Sequence, residues 1–134
     1  MTAPASAPAT AKILHLAICS GLMLFIAVAY YVSQHRPPNE LPAIVLYLPL
    51  VAGAVMFGTA LVLRRKLLDG GPAMGDEWYR ANLQRMILLW ALFEAPALFG
   101  TVLYLVSGAW IPLVATGVGL VLLVLHSPDQ LRPQ

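Results

Sequence analysis

Apolar residues fill four stretches of the chain, 13–33, 41–63, 86–106 and 110–126, and polar residues concentrate between them. About 20 helical residues cross the roughly 30 Å hydrocarbon core of a bilayer. The pattern predicts four spanning helices, the last somewhat short. Between the first two lie Arg36, Pro37, Pro38 and Glu40, which read as a loop. Pro42 suits the first turn of the second helix and Pro112 that of the fourth. Arg64, Arg65 and Lys66 close the second run, and Gly70, Gly71 and Pro72 break any continuation. Asp76 is a candidate N-cap, with Glu77 in the first turn favouring the helix dipole. Met74, Trp78 and Leu83 are expected to form an apolar edge at headgroup level, on a piece running unbroken into the third helix. Ser107, Gly108 and Ala109 predict a tight turn, and Ser127, Pro128 and Asp129 a stop.

The fold class this implies is all-α: a membrane-embedded, four-helix up-and-down bundle. Residues 1–12, rich in Ala, Pro, Ser and Thr, read as a disordered tail. Residues 13–126 read as one domain with a loop at 67–85, and 127–134 as a second tail. The first run is longer than the apolar core of a signal peptide and lacks a small-residue cleavage site, so it is expected to be retained. Orientation follows the basic residues. Arg64, Arg65, Lys66, Arg80 and Arg85 lie between the second and third runs, Lys12 and Arg132 flank the termini on the same side, and only Arg36 lies opposite. Both termini are therefore expected in the cytoplasm. Tyr30, Tyr31, Tyr104 and Trp110 would then mark the outer interface and Trp78 the inner one. A faint repeat aligns Lys12-Ile13-Leu14-His15 with Arg85-Met86-Ile87-Leu88, placing Gly21 opposite Glu94 and Tyr31 opposite Tyr104. Duplication of a hairpin and the ordinary similarity of any two spans both account for it.

Composition supports the membrane reading. Of 134 residues, 60% are apolar and 10% charged, against about 25% charged in soluble domains. The lipid bilayer is the expected partner, and a net charge of +2 gives no reason to expect nucleic acid. The single cysteine, Cys19, allows no internal disulfide, and bulky Ile18 before it argues against a lipoprotein site. There is no phosphate-cradling glycine loop, no H-E-x-x-H and no nucleophile with a base beside it. The polar segments are too short to fold a catalytic domain. A non-enzymatic protein with no cofactor and no metal is expected. His15 and His126 fall at matched depth, where a haem between two helices is an alternative to plain interfacial histidines.

The one acidic residue within an apolar run is Glu94. Placing a charge near a helix centre costs roughly 2.5–3.5 kcal/mol on insertion scales. Small Ala91 and Ala97 share its helix face, so it is expected to face the bundle. Ser20, Cys19 and Thr59 lie at similar depth as hydrogen-bond partners, and no basic residue in a span is available to pair with it. Glu94 is therefore expected to be protonated at pH 7; an ionised carboxylate in infrared difference spectra at that pH would refute this. Three roles remain open for it: a clasp between helices, a proton or cation carrier, and a contact to a lipid-soluble ligand or partner helix. Pro49 and Pro96 are interior helix prolines, each freeing a carbonyl and bending its helix. Small-x-x-x-small steps at Ala17/Gly21, Ala54/Gly58, Pro96/Gly100 and Ala115/Gly119 predict close-packing faces within a bundle or between copies.

Two resemblances follow from residues 91–102. Glu94-Ala95 within aliphatic sequence resembles the proton-carrying helix of the proteolipid rotor subunit of rotary ATPases, which implies Glu94 as the carrier. The glycine repeat of that family's inner helix and its short polar loop are absent, and Pro96 is unusual there. Arg85, Leu89, Ala91, Glu94, Ala97-Leu98, Gly100, Tyr104-Leu105 and Gly108, with a final His126-Ser127-Pro128, resemble small uncharacterised bacterial inner-membrane proteins of four spans. That implies architecture and a bacterial inner-membrane location without a function. The sequence expectation is a small integral membrane protein serving as a structural or accessory subunit, in a homo-oligomer or larger membrane complex. The alternative is a proton- or cation-translocating protein using Glu94.

Overall fold

The computed structural model describes residues 6–68 and 75–131. It contains α1 (Ala7–Gln34), α2 (Ala43–Leu68), α3 (Asp76–Ser107), α4 (Leu113–Leu125) and a single-turn α5 (Pro128–Leu131). Among the described residues all regular structure is helical. Helices α1, α2 and α3 are each long and apolar enough to cross a membrane. The exposed large side chains include Leu16, Leu24, Val28, Ile44, Val51, Val55, Val121 and Val124, an apolar belt that only lipid or another membrane protein can cover. The chain is an integral membrane protein with an all-α helical bundle.

The helices alternate in direction, and α3 is the one around which the others pack. Pairings of His15 with Trp90 and Ser33 with Tyr104 set α1 parallel to α3. Contacts of Phe57 with Phe93, and of Gly53 with Pro96, set α2 antiparallel to it. Helix α4 returns along α3 from Gly100 to Trp90. All three extensive interfaces involve α3; α4 touches α1 and α2 only lightly. Of the large core side chains, α3 supplies Trp78, Met86, Leu89, Trp90 and Phe93. The spatial register of α1 on α3 is close to that of the faint repeat. The two hairpins differ nonetheless, because α3 packs closely on α4 whereas α1 and α2 share no comparable interface.

Several expectations are corrected. Helix α1 begins at Ala7, so residues 7–12 belong to a helix, and residues 1–5 of that segment lie outside the described residues. Alanine is the strongest helix former and Pro8 is tolerated in a first turn, so the composition read as disorder also suits a helix start. Ala11 is fully buried there. Gly75, not Asp76, is the N-cap of α3, and Asp76 and Glu77 fall in the first turn. Trp78 does not lie on an open apolar edge: it is buried, edge-on to Tyr79. Met74 lies outside the described residues. Tyr104 is buried within the bundle, with Ser33 Oγ donating to its hydroxyl at 2.9 Å, while Tyr30, Tyr31 and Trp110 are exposed.

The unbroken run from the interfacial piece into the third span is present as the 32 residues of α3. It ends where Gly108 takes a left-handed φ of 69° and donates its N–H to the Tyr104 carbonyl at 2.8 Å. The fourth span is shorter than the 110–126 expected. A turn precedes it and α4 has 13 residues, about 20 Å of helix. The end of the chain packs as well: Pro128 and Leu131 of α5 are buried, Tyr79 donates its hydroxyl to the Pro128 carbonyl at 3.4 Å, and exposed Lys12 and Asp129 pair at 2.9 Å. The start of α1 and α5 therefore share one end of the bundle.

Candidate functional site around Glu94 and the end of α4

Two features are built on α3. The first is Glu94. It is half-buried where α3 meets α1, within electrostatic reach of half-buried Cys19. The suggested hydroxyl partners do not join it. Ser20 is exposed on α1. Thr59 is exposed on α2 and donates to the Val55 carbonyl of its own helix at 2.9 Å. Among the described residues Glu94 has no hydrogen bond or ion pair. Pro96, two residues on, is buried against α2 and removes the N–H that would bond the Leu92 carbonyl. Pro49 is likewise buried and interior to α2.

The small-residue steps divide sharply. Gly100, Ala115 and Gly119 are buried in the α3–α4 contact. A Cβ on Gly119 would stand 2.6 Å from the Phe93 carbonyl oxygen, and one on Gly100 would meet the Pro112 carbonyl. Beside them, Thr101 and Thr116 hydroxyls donate to the Ala97 carbonyl at 2.8 and 2.9 Å. By contrast, Ala17, Gly21, Ala54 and Gly58 are exposed, and a Cβ on Gly21 or Gly58 would meet nothing within 4 Å.

The second feature is a set of side chains at the C-terminal end of α4. The His126 N–H is shared between the Leu122 carbonyl at 3.1 Å and the Leu123 carbonyl at 3.3 Å, a forked bond at a helix end, and side chains add to it. His15 Nε2 donates to the Leu123 carbonyl at 2.8 Å, His126 Nδ1 to the Leu122 carbonyl at 2.8 Å, and Trp90 Nε1 to the His126 carbonyl at 2.9 Å. Because a carbonyl only accepts, these bonds fix which ring nitrogen of each histidine carries a proton. Cys19 Sγ lies 3.8 Å from His15 Nε2, and the His15 and His126 rings pack on Trp90 and Phe93 at 5.0 Å. The two histidines noted at matched depth thus cap a helix end. Among the described residues no three His, Cys, Asp or Glu side chains converge.

Sequence reasoning missed Trp90 and Arg64 here. Arg64 continues the inward face of α2, four residues after Ala60 and three before Leu67, both fully buried. That helical spacing was the available signal, masked by Arg65 and Lys66 beside it. No family model, no curated protein and no solved structure matches the chain.

Proposed function

We propose that the protein is a non-enzymatic structural or accessory subunit of a membrane assembly, packed against a second copy of itself or a larger complex. One observation carries this reading: the small-residue steps Ala17/Gly21 and Ala54/Gly58 are exposed, while the comparable steps of α3 and α4 are consumed in the bundle. Small residues let helices approach closely in lipid, where packing and not the hydrophobic effect drives association. We place it in a bacterial inner membrane with both termini cytoplasmic, from the resemblance and the clustering of basic residues at the end where α1 begins and α2 finishes.

The test is substitution on the open faces. Leucine at Gly21 or Gly58 has room within the chain, so the bundle is expected to keep its helical content by circular dichroism. Association in mild detergent is expected to weaken at least about tenfold, roughly 1.4 kcal/mol. Unchanged stoichiometry in light scattering and in pull-downs of co-purifying partners would reject the reading.

A second reading, a proton or cation carrier, is favoured by the lack of any hydrogen-bond or ion-pair partner for Glu94 among the described residues. A carboxyl held by no fixed donor is free to exchange its proton. Glu94→Gln keeps the shape and loses the proton site. In liposomes holding a pH-sensitive dye, a carrier loses proton uptake on this change; a subunit without transport shows no Glu94-dependent uptake and still assembles. Carbodiimide labelling at Glu94 would show that the carboxyl is reachable.

A further inference from the structure

Arg64 stands out among the basic residues. Arg65 and Lys66 beside it are exposed, whereas Arg64 lies on the inward face of α2 between fully buried Ala60 and Leu67. Its Nε is buried and has no hydrogen-bond partner among the described residues. It is in no ion pair there; the pair present is Lys12 with Asp129. The charged or titratable group acting across the helix contact is His126, at the capped end of α4, within electrostatic reach of Arg64. A guanidinium offers five donors in a fixed fork and stays protonated under all ordinary conditions. A buried donor without an acceptor is costly, more so when it is charged. The buried Nε–H is therefore open to an acceptor oxygen, and the partly exposed remainder of the fork can reach the same group.

Its depth narrows the class. Arg64 follows directly on the apolar run that ends at Leu63, the level at which a membrane changes from hydrocarbon to headgroup. Arg64 as a whole remains partly exposed, so an anion has access. Basic pockets between membrane helices at this level suit phosphate headgroups, and a guanidinium fork matches phosphate oxygens in two-point contact.

We propose that Arg64, on the inward face of α2, is a phosphate-binding site, filled by the headgroup of an anionic phospholipid or by free phosphate. Arg65 and Lys66 strengthen the local positive field without forming the site.

The full chain, purified in a neutral detergent, is exchanged into phosphatidylglycerol, phosphatidylcholine or inorganic phosphate and washed, and retained ligand is counted by native mass spectrometry. Wild type is expected to retain one phosphatidylglycerol per chain and to retain phosphatidylcholine at least about tenfold less. Retention of inorganic phosphate without phosphatidylglycerol would support the site and assign it to the free anion. Arg64→Gln is expected to lose retention about tenfold or more while Arg65→Gln keeps it. Arg64→Lys, which keeps the charge and loses the fork, should fall between them and serves if Arg64→Gln does not fold. Equal retention of both lipids with no retention of inorganic phosphate, or equal loss in Arg64→Gln and Arg65→Gln, would overturn the proposal.

Discussion

Trp90→Ala is expected to be among the most damaging single substitutions, lowering stability by ~3–5 kcal/mol, the range for truncating a buried aromatic. Trp90 is fully buried at the contact of α1, α3 and α4. Two losses combine. The first is the cavity left beneath the His15 ring, which lies 5.0 Å from the indole. The second is the donor to the His126 carbonyl at 2.9 Å. Trp90→Phe separates them, because it keeps most of the ring and removes the N–H. An acceptor left buried and unpaired costs ~1–3 kcal/mol, and Trp90→Phe should fall there. Helix content followed against rising dodecyl sulfate in micelles reads both values. Wild-type stability in Trp90→Phe would mean that another donor reaches the His126 carbonyl. His15→Leu offers an independent check and a smaller expected loss, since it removes the side-chain donor to the Leu123 carbonyl, which also accepts the His126 N–H at 3.3 Å.

That helix end also shows what the sequence could and could not reveal. The apolar runs, their prolines and the polar breaks set the number, order and direction of the helices, because in lipid only closed helical hydrogen bonding satisfies the backbone. The same apolarity hid the inward faces. A soluble helix separates its core stripe from its solvent stripe by polarity. Here the side of α1 carrying Leu16 and Leu24 faces outward, the side carrying Leu22 faces α3, and both are apolar. Residue type and position near the span ends therefore place Tyr104 and Trp78 but leave open the side they face; as members of α3 they are buried by the elements packed against it. The shortness of α4 was half visible, since the run 110–126 is the shortest. The turn formed by Trp110, Ile111 and Pro112 takes up its first residues. Glu94 was legible as the unusual residue, but its suggested partners were chosen by depth alone. Ser20 and Thr59 share its level and point elsewhere. Arg64 shows the converse: a basic run read only as a topology signal includes one residue that the helical spacing turns inward.

Gly100→Ala and Gly119→Ala are expected to destabilise the bundle by ~1–3 kcal/mol each, the range for overpacking a fitted core. The added methyl meets backbone atoms that cannot rotate away, together with side-chain atoms packed against them. At Gly119 these are the Phe93 carbonyl oxygen at 2.6 Å and the Ala97 Cβ at 2.8 Å. At Gly100 they are the Pro112 carbonyl and, at 2.7 Å, the Thr116 hydroxyl. Neither of the last two is idle. The Pro112 carbonyl accepts the Ala115 N–H at 3.2 Å in the first turn of α4, and Thr116 donates to the Ala97 carbonyl at 2.9 Å. Relief requires α4 to move off α3, which loosens the bond from Thr116 to the Ala97 carbonyl together with the packing. The two substitutions strain the same interface, so the double variant should lose less than the sum of the single losses. Gly58→Ala supplies the opposite sign. Its methyl meets open space, and alanine is favoured over glycine within a helix by roughly 0.5–1 kcal/mol. Gly58→Ala should therefore leave the single chain as stable as wild type or slightly more so. Denaturation in micelles at a chain concentration low enough to prevent association measures all of these. Equal effects at Gly58, Gly100 and Gly119 would show that the α3–α4 contact is not the close one these glycines permit.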